Sequence, residues 1–182
     1  MILIKLYDKI EKKNLEFLGR GTQGSVYKID NEKCIKIFKK RSSCKDELHS
    51  LLISQSNSCF PRLYSYGENY IVREYIKGIP LDEYLSSNPI NDVICHKIIE
   101  LYLAMRYVGF ERLDSALFHI FILSSGELKL IDTAKAMKKK YLYPHIILQG
   151  LFELNCKDYF LYFVKENYSD IYVAWQNTKL RY

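Results

Sequence analysis

The chain contains no C-x-x-C pair, and its five cysteines, an odd number, are scattered: Cys34, Cys44, Cys59, Cys95 and Cys156. That spacing suits reduced thiols in a cytoplasmic protein better than a disulfide framework or a zinc site. No apolar run approaches the ~20 residues that a membrane-spanning helix requires. The apolar stretch Met1-Ile2-Leu3-Ile4 before Lys5 is too short for a signal peptide, so no membrane is expected among the partners. An arginine-rich tail and zinc-finger spacing are both missing, which leaves a nucleic-acid partner unsupported. Internal repeats and low-complexity linkers are missing as well.

What is present is a folding composition. The 182 residues suit one domain, or two small lobes that share a cleft. Hydrophobic residues make up 48% and aromatics 14%, with 16 tyrosines, which is enough for a sizeable core and excludes a disordered chain. The net charge is +6, with clusters at Lys39-Lys40-Arg41 and Lys138-Lys139-Lys140. Each cluster, taken alone, reads as a solvated surface.

The stretch from Leu18 to Tyr27 places Gly19, Gly21 and Gly24 in the pattern G-x-G-x-x-G-x-V, ending at Val26. Glycine permits positive φ and leaves no Cβ between the main chain and a ligand, so such a loop can offer N–H groups to phosphates. A Rossmann turn shares this spacing but opens into a helix. Here Ser25–Ile29 alternates, Asp30-Asn31-Glu32 signals a turn, and Cys34–Phe38 alternates again. The segment therefore reads as strand, loop, strand, turn, strand, which fits either a nucleotide loop or an ordinary hairpin containing glycines.

Ser43 with Asp46 resembles a capping box, and Cys44, Leu48, Leu51, Leu52 and Gln55 follow at helical spacing. Glu47 borders that stripe and is expected to pair with Lys36. Segments 61–67 and 70–75 read as two more strands, which completes an antiparallel five-stranded sheet with one helix. Ile76–Pro80 breaks the periodicity and reads as a linker between lobes. A helix is expected after Asn88-Pro89, with Ile94, Ile98, Leu101, Tyr102 and Met105 inward and Gly109 as its C-cap. Residues 110–119 read as irregular. A hairpin follows over 120–131 with its turn at Ser124-Ser125-Gly126, and Asp132 stands at its end. Three short amphipathic helices are expected over 145–154, 158–166 and 170–177.

These landmarks, in this order over residues 10–135, resemble the protein-kinase-like superfamily. The similarity is greatest to the small serine/threonine-kinase-like proteins of low-GC bacteria, through Arg112-Leu113-Asp114, Leu117–Phe121 and the tail from Tyr143-Pro144. In compactness the chain also resembles RIO-type and other atypical kinases. The resemblance implies an α+β fold of two lobes, residues 1–76 and a reduced helical lobe over 77–182. It implies ATP with Mg²⁺ or Mn²⁺, and a protein acceptor or the chain itself. Gly19, Gly21 and Gly24 would cover the phosphates, and Val26 and Cys34 would roof the adenine above Phe121. The Glu74 carbonyl and the Ile76 N–H would meet the base edge. Lys36, held by Glu47, would reach the phosphates. Asp114 would be the catalytic base and Asp132 the metal ligand.

The chain departs from the family pattern at four places. Arg112-Leu113-Asp114 replaces His-Arg-Asp. His119 stands where the family has an Asn that binds a second magnesium; imidazole suits manganese better, contacts phosphate when protonated, or packs between Phe118 and Phe121. Asp132-Thr133-Ala134 replaces Asp-Phe-Gly, removing the Phe switch. No Ala-Pro-Glu follows, so the platform for an extended peptide is cut short. The competing reading is a pseudokinase that acts by docking a partner. A small-molecule kinase of aminoglycoside type shares the fold but needs a larger, more acidic tail than this one.

Overall fold

The computed structural model describes residues 15–138 and 140–179; the N-terminal apolar stretch and Lys139 of the second basic cluster lie outside them. Among the described residues the fold is mixed α and β, with one five-stranded sheet, one three-stranded sheet and six α-helices. The strands β1 (Glu16–Arg20), β2 (Gly24–Lys28), β3 (Lys33–Phe38), β4 (Leu63–Tyr66) and β5 (Tyr70–Glu74) form an antiparallel sheet in the order β1-β2-β3-β5-β4. The β2–β3 turn closes through Asp30, whose Oδ1 accepts the N–H groups of Glu32 at 2.7 Å and Lys33 at 2.8 Å.

Helix α1 (Arg41–Ile53) covers one face of this sheet, where Cys44 and Leu51 pack against Phe38 and Ile71. Ile35, Tyr70 and Val72 cluster on the other face. The helix begins at Arg41 with Lys40 as N-cap and no side-chain cap, so the capping box expected at Ser43 is not used. The buried stripe also differs from the expected one. Leu52 is exposed and Gln55 lies past the helix end, while Glu47 and Ser50 are buried. Two polar residues thus stand on the face that meets the rest of the molecule.

Residues 76–80 carry the chain from the five-stranded sheet to the three-stranded one, and part of the stretch read as a linker is regular structure. Gly78–Pro80 is a strand, β6, paired with β7 (Ile120–Leu123), which pairs in turn with β8 (Leu128–Leu130). A Cβ at position 78 would sit 2.6 Å from the Ile122 carbonyl oxygen, so only glycine allows the two backbones to approach this closely. Helix α2 (Leu81–Ser87) follows at once and has no counterpart in the sequence reading. Helix α3 (Asp92–Tyr107) is capped by Asn91, whose side chain accepts the Ile94 N–H at 3.0 Å; Pro89 stands outside it. Its C-terminus is as expected: Gly109 has φ +81°, with Gly109 N–H on Arg106 O and Phe110 N–H on Met105 O, a Schellman motif.

Helices α4 (His145–Glu153), α5 (Lys157–Asn167) and α6 (Ser169–Lys179) complete the chain. Ile98, Leu101, Met105, Leu113, Ile120, Leu151 and Phe160 build the main core. Trp175 locks α6 onto it, its ring centroid 5.2 Å from that of Tyr102. No helix among the described residues is long and apolar enough to cross a membrane.

Candidate active site

Antiparallel register decides which side chains share a face. Val26 lies opposite Lys36, Lys36 opposite Ile71, and Cys34 opposite Arg73. All five therefore project on the side of the sheet that α1 covers. Lys36 is 6% exposed and Glu47 2%, and Lys36 Nζ donates to Glu47 Oε2 at 2.5 Å. Burial raises the Glu47 pKa and the Lys36 ammonium opposes that rise.

Lys36 Nζ also lies 3.5 Å from Asp132 Oδ1, and Asp132 Oδ2 lies 3.8 Å from His119 Nε2. One chain of charge thus runs from α1 through β3 to the end of the β7–β8 hairpin. Asp132 holds a left-handed backbone, φ 59°, a conformation that Asp tolerates better than most side chains. The next residue, Thr133, is buried, and its hydroxyl is 2.7 Å from that of Ser50, one turn beyond Glu47. This hydroxyl pair joins the segment carrying Asp132 to the helix carrying Glu47.

His119 ends a 3-10 turn (Leu117–His119) directly before β7. Its ring meets Phe118 edge-on with centroids 4.3 Å apart, but Phe118 is 55% exposed, so this is not a packed core histidine. Burial lowers the His119 pKa, partly offset by Asp132, so the ring is neutral at neutral pH.

Asp114 is buried and already in use. Both of its carboxylate oxygens accept the Ile146 N–H at 3.0 Å, and Oδ1 accepts the Ile147 N–H at 3.2 Å. These donors belong to the first turn of α4, whose N-cap residue, Pro144, has no capping side chain. Asp114 supplies that cap from a distance. Burial raises its pKa, and the two amides oppose the rise.

A cavity of about 190 Å³ brings together Asp114, His119 and Asp132 with Thr22, Gln23 and Lys135. Thr22 and Gln23 are the tip of the glycine loop, which closes through Gly21 N–H on Gly24 O at 2.9 Å. The loop does not use left-handed backbone: among the described residues, glycine has positive φ only at Gly109 and Gly126. Gly24 is instead required by strand packing, since a Cβ there would lie 2.1 Å from the Ile37 carbonyl oxygen. Gly19 and Gly21 have open space where a Cβ would stand.

Cys34, Glu74, Ile76 and Phe121 do not line this cavity. Cys34 Sγ donates to the Glu74 carbonyl at 3.5 Å, and the Glu74 carboxylate holds Lys129 Nζ at 2.8 and 2.6 Å. Lys129 is the cross-strand partner of Phe121, so the Phe121 face of the small sheet turns toward the five-stranded sheet. Ile76 is buried where the chain passes between the two sheets.

The sequence reading missed three residues here. Ser50 belongs to no motif, and Thr133 stands out in the sequence only as the residue in the place of the family's Phe. Arg73 sits in the inward register of β5, two residues after Ile71, and a charge at such a position was the available signal. The basic clusters, in contrast, are partly consumed by internal bonds: Lys39 Nζ donates to Thr22 O, Arg41 pairs with Glu68, and Lys138 pairs with Asp46. All five thiols are free, and burial pushes Cys44 up to about 11 and Cys95 to about 12, so neither is a nucleophile at neutral pH. No protein-family model matches this chain, and no curated protein matches it.

Proposed function

We propose that the chain is a phosphotransferase of protein-kinase-like, two-lobe architecture, with residues 1–76 as one lobe and 77–182 as the other. It would use a nucleoside triphosphate such as ATP and act on protein Ser/Thr or on itself. The observation that carries this reading is the convergence of Glu47, Lys36, Asp132 and His119 in one run of contacts, beside Asp114 and under the tip of the glycine loop. Phosphoryl transfer needs positioning and charge neutralisation more than covalent help, and this set supplies both.

In this reading Lys36 holds the phosphates. Asp114 keeps acceptor capacity on its carboxylate beyond the two amides, enough to take the acceptor hydroxyl's proton. Val26 and Cys34 would roof the base, Phe121 would floor it, and the Glu74 carbonyl and Ile76 N–H would meet its edge. Among the described residues no group of three or more His, Cys, Asp or Glu side chains is placed to hold a metal. Asp132, with His119 beside it, nevertheless fits a Mg²⁺ or Mn²⁺ ion that takes its remaining ligands from phosphate and water. Such an ion would neutralise charge on the phosphates.

One observation favours the pseudokinase reading. Asp114 caps α4, so its presence has a structural reason that needs no catalysis. Transfer of label from a γ-labelled nucleotide separates the two readings: a phosphotransferase labels itself or a generic protein acceptor, whereas a docking module binds without turnover.

A further inference from the structure

Arg73 is 5% exposed, and its Nε is shut off from solvent with no hydrogen-bond partner among the described residues. The neighbouring carboxylates bond other cations: Glu47 holds Lys36 through Oε2, and Glu74 holds Lys129 with both oxygens. A buried guanidinium nitrogen without an acceptor is costly, and an acceptor brought by a ligand would remove that cost. The residue lies opposite Cys34, next to Glu74, and on the face of Val26 and Lys36. Its charge is felt at Cys34, at Glu47 and at His119. It therefore shares the sheet face of Cys34 and Val26, the face on which the proposed function puts the base.

We infer that Arg73 reads the base: it donates to an oxygen acceptor at the purine six-position, so the site takes guanine and hypoxanthine nucleotides in preference to adenine. The inference rests on the nucleotide reading above. Guanine presents O6 and N7 as acceptors, which a guanidinium fork matches, whereas adenine presents an amino donor at the six-position. Adenine's amino group could still donate to the Glu74 carbonyl but would offer Arg73 no acceptor, so the guanidinium would stay unpaired with adenine and be satisfied by guanine. Lys36 remains the phosphate ligand, so the two cations divide the nucleotide between them. The alternative role, a counter-charge for Glu47 at a distance, discriminates between no bases.

The test is isothermal titration of the full chain with GTP, ITP and ATP in the presence of Mg²⁺. Wild type should bind GTP and ITP about tenfold more tightly than ATP. ITP isolates the six-position because hypoxanthine lacks the two-amino group. Arg73→Met should abolish the difference while ATP still binds, and Arg73→Lys should reduce it. Wild type binding ATP as tightly as GTP overturns the inference and leaves the nucleotide reading standing. An equal loss for all three nucleotides in Arg73→Met, placing Arg73 on the phosphates, overturns it too. If wild type binds none of them, both the inference and the nucleotide reading fail. The wild-type comparison holds whether or not the variants fold.

Discussion

Lys36 and Glu47 hold opposite charges almost entirely out of water, and each makes the other tolerable there. Removing one partner leaves a lone buried charge, which costs about 3–5 kcal/mol. Lys36→Met should lower the stability measured by urea unfolding by roughly that amount near neutral pH. The loss should shrink in acid: without the Lys36 ammonium the largest opposition to burial is gone, and the raised pKa of Glu47 lets it become neutral before an ordinary Glu would. Lys36→Met with Glu47→Leu should recover much of the loss, and a double variant no more stable than the single one would refute the account. His119 behaves oppositely. Its folded pKa lies below the unfolded value of 6.5, so its contribution to stability is complete above that pH and is lost as pH falls through the folded value. His119→Asn should therefore flatten the decline in stability below about pH 6.5. Under the metal role it should also raise Mg²⁺-supported turnover relative to Mn²⁺, and an unchanged metal preference would remove His119 from the metal site.

Helix α4 and the Asp114 loop are tied by the carboxylate that caps the helix, and this contact joins fold and chemistry in one residue. Asp114→Asn keeps an acceptor for the amides but loses the base; it should unfold nearly as wild type does while losing phosphoryl transfer. Asp114→Ala loses the cap as well and should cost a further 1–2 kcal/mol or about that. Equal turnover in wild type and Asp114→Asn would reduce Asp114 to a cap. With a raised pKa, Asp114 should also place the acidic limb of the rate profile above the ordinary Asp value of 3.8. Helix α1 is tied to Asp132 by the Ser50–Thr133 bond. Thr133→Val removes this bond while Ser50 Oγ still donates to the Glu47 carbonyl at 3.0 Å, so it should cost about 0.5–1.5 kcal/mol, the net value of one hydrogen bond, with Thr133→Ser restoring stability. The strands of the five-stranded sheet were legible because alternation and Asp30 mark them locally. Neither tie was legible, because each joins residues that are 32 or 83 positions apart and neither belongs to a local pattern.

At the scale of the whole molecule, order along the chain carried the reading furthest. The glycine stretch, Lys36, Glu47, Asp114, His119 and Asp132 are separated in sequence and come together around one cavity or in one run of contacts. The strand Gly78–Pro80 within the passage between the two sheets was not legible because Gly78 and Pro80 look like breakers; pairing with β7 overrides that local preference. Helix α2 was missed because it is seven residues long and starts directly after Pro80. Arg73 was missed because a charged residue within a strand carries no motif. The account depends most on phosphoryl transfer through Asp132, and one measurement addresses it directly: incubation of the full chain with γ-labelled ATP and GTP in parallel, with Mg²⁺ or Mn²⁺, wild type beside Asp132→Asn. Asn accepts the left-handed backbone that Asp132 adopts, so the variant tests the charge and not the fold. The account predicts label on protein with wild type, its loss in Asp132→Asn, and unchanged thermal unfolding between the two. Label transfer undiminished in Asp132→Asn, or none from wild type with either nucleotide and either metal, would contradict it.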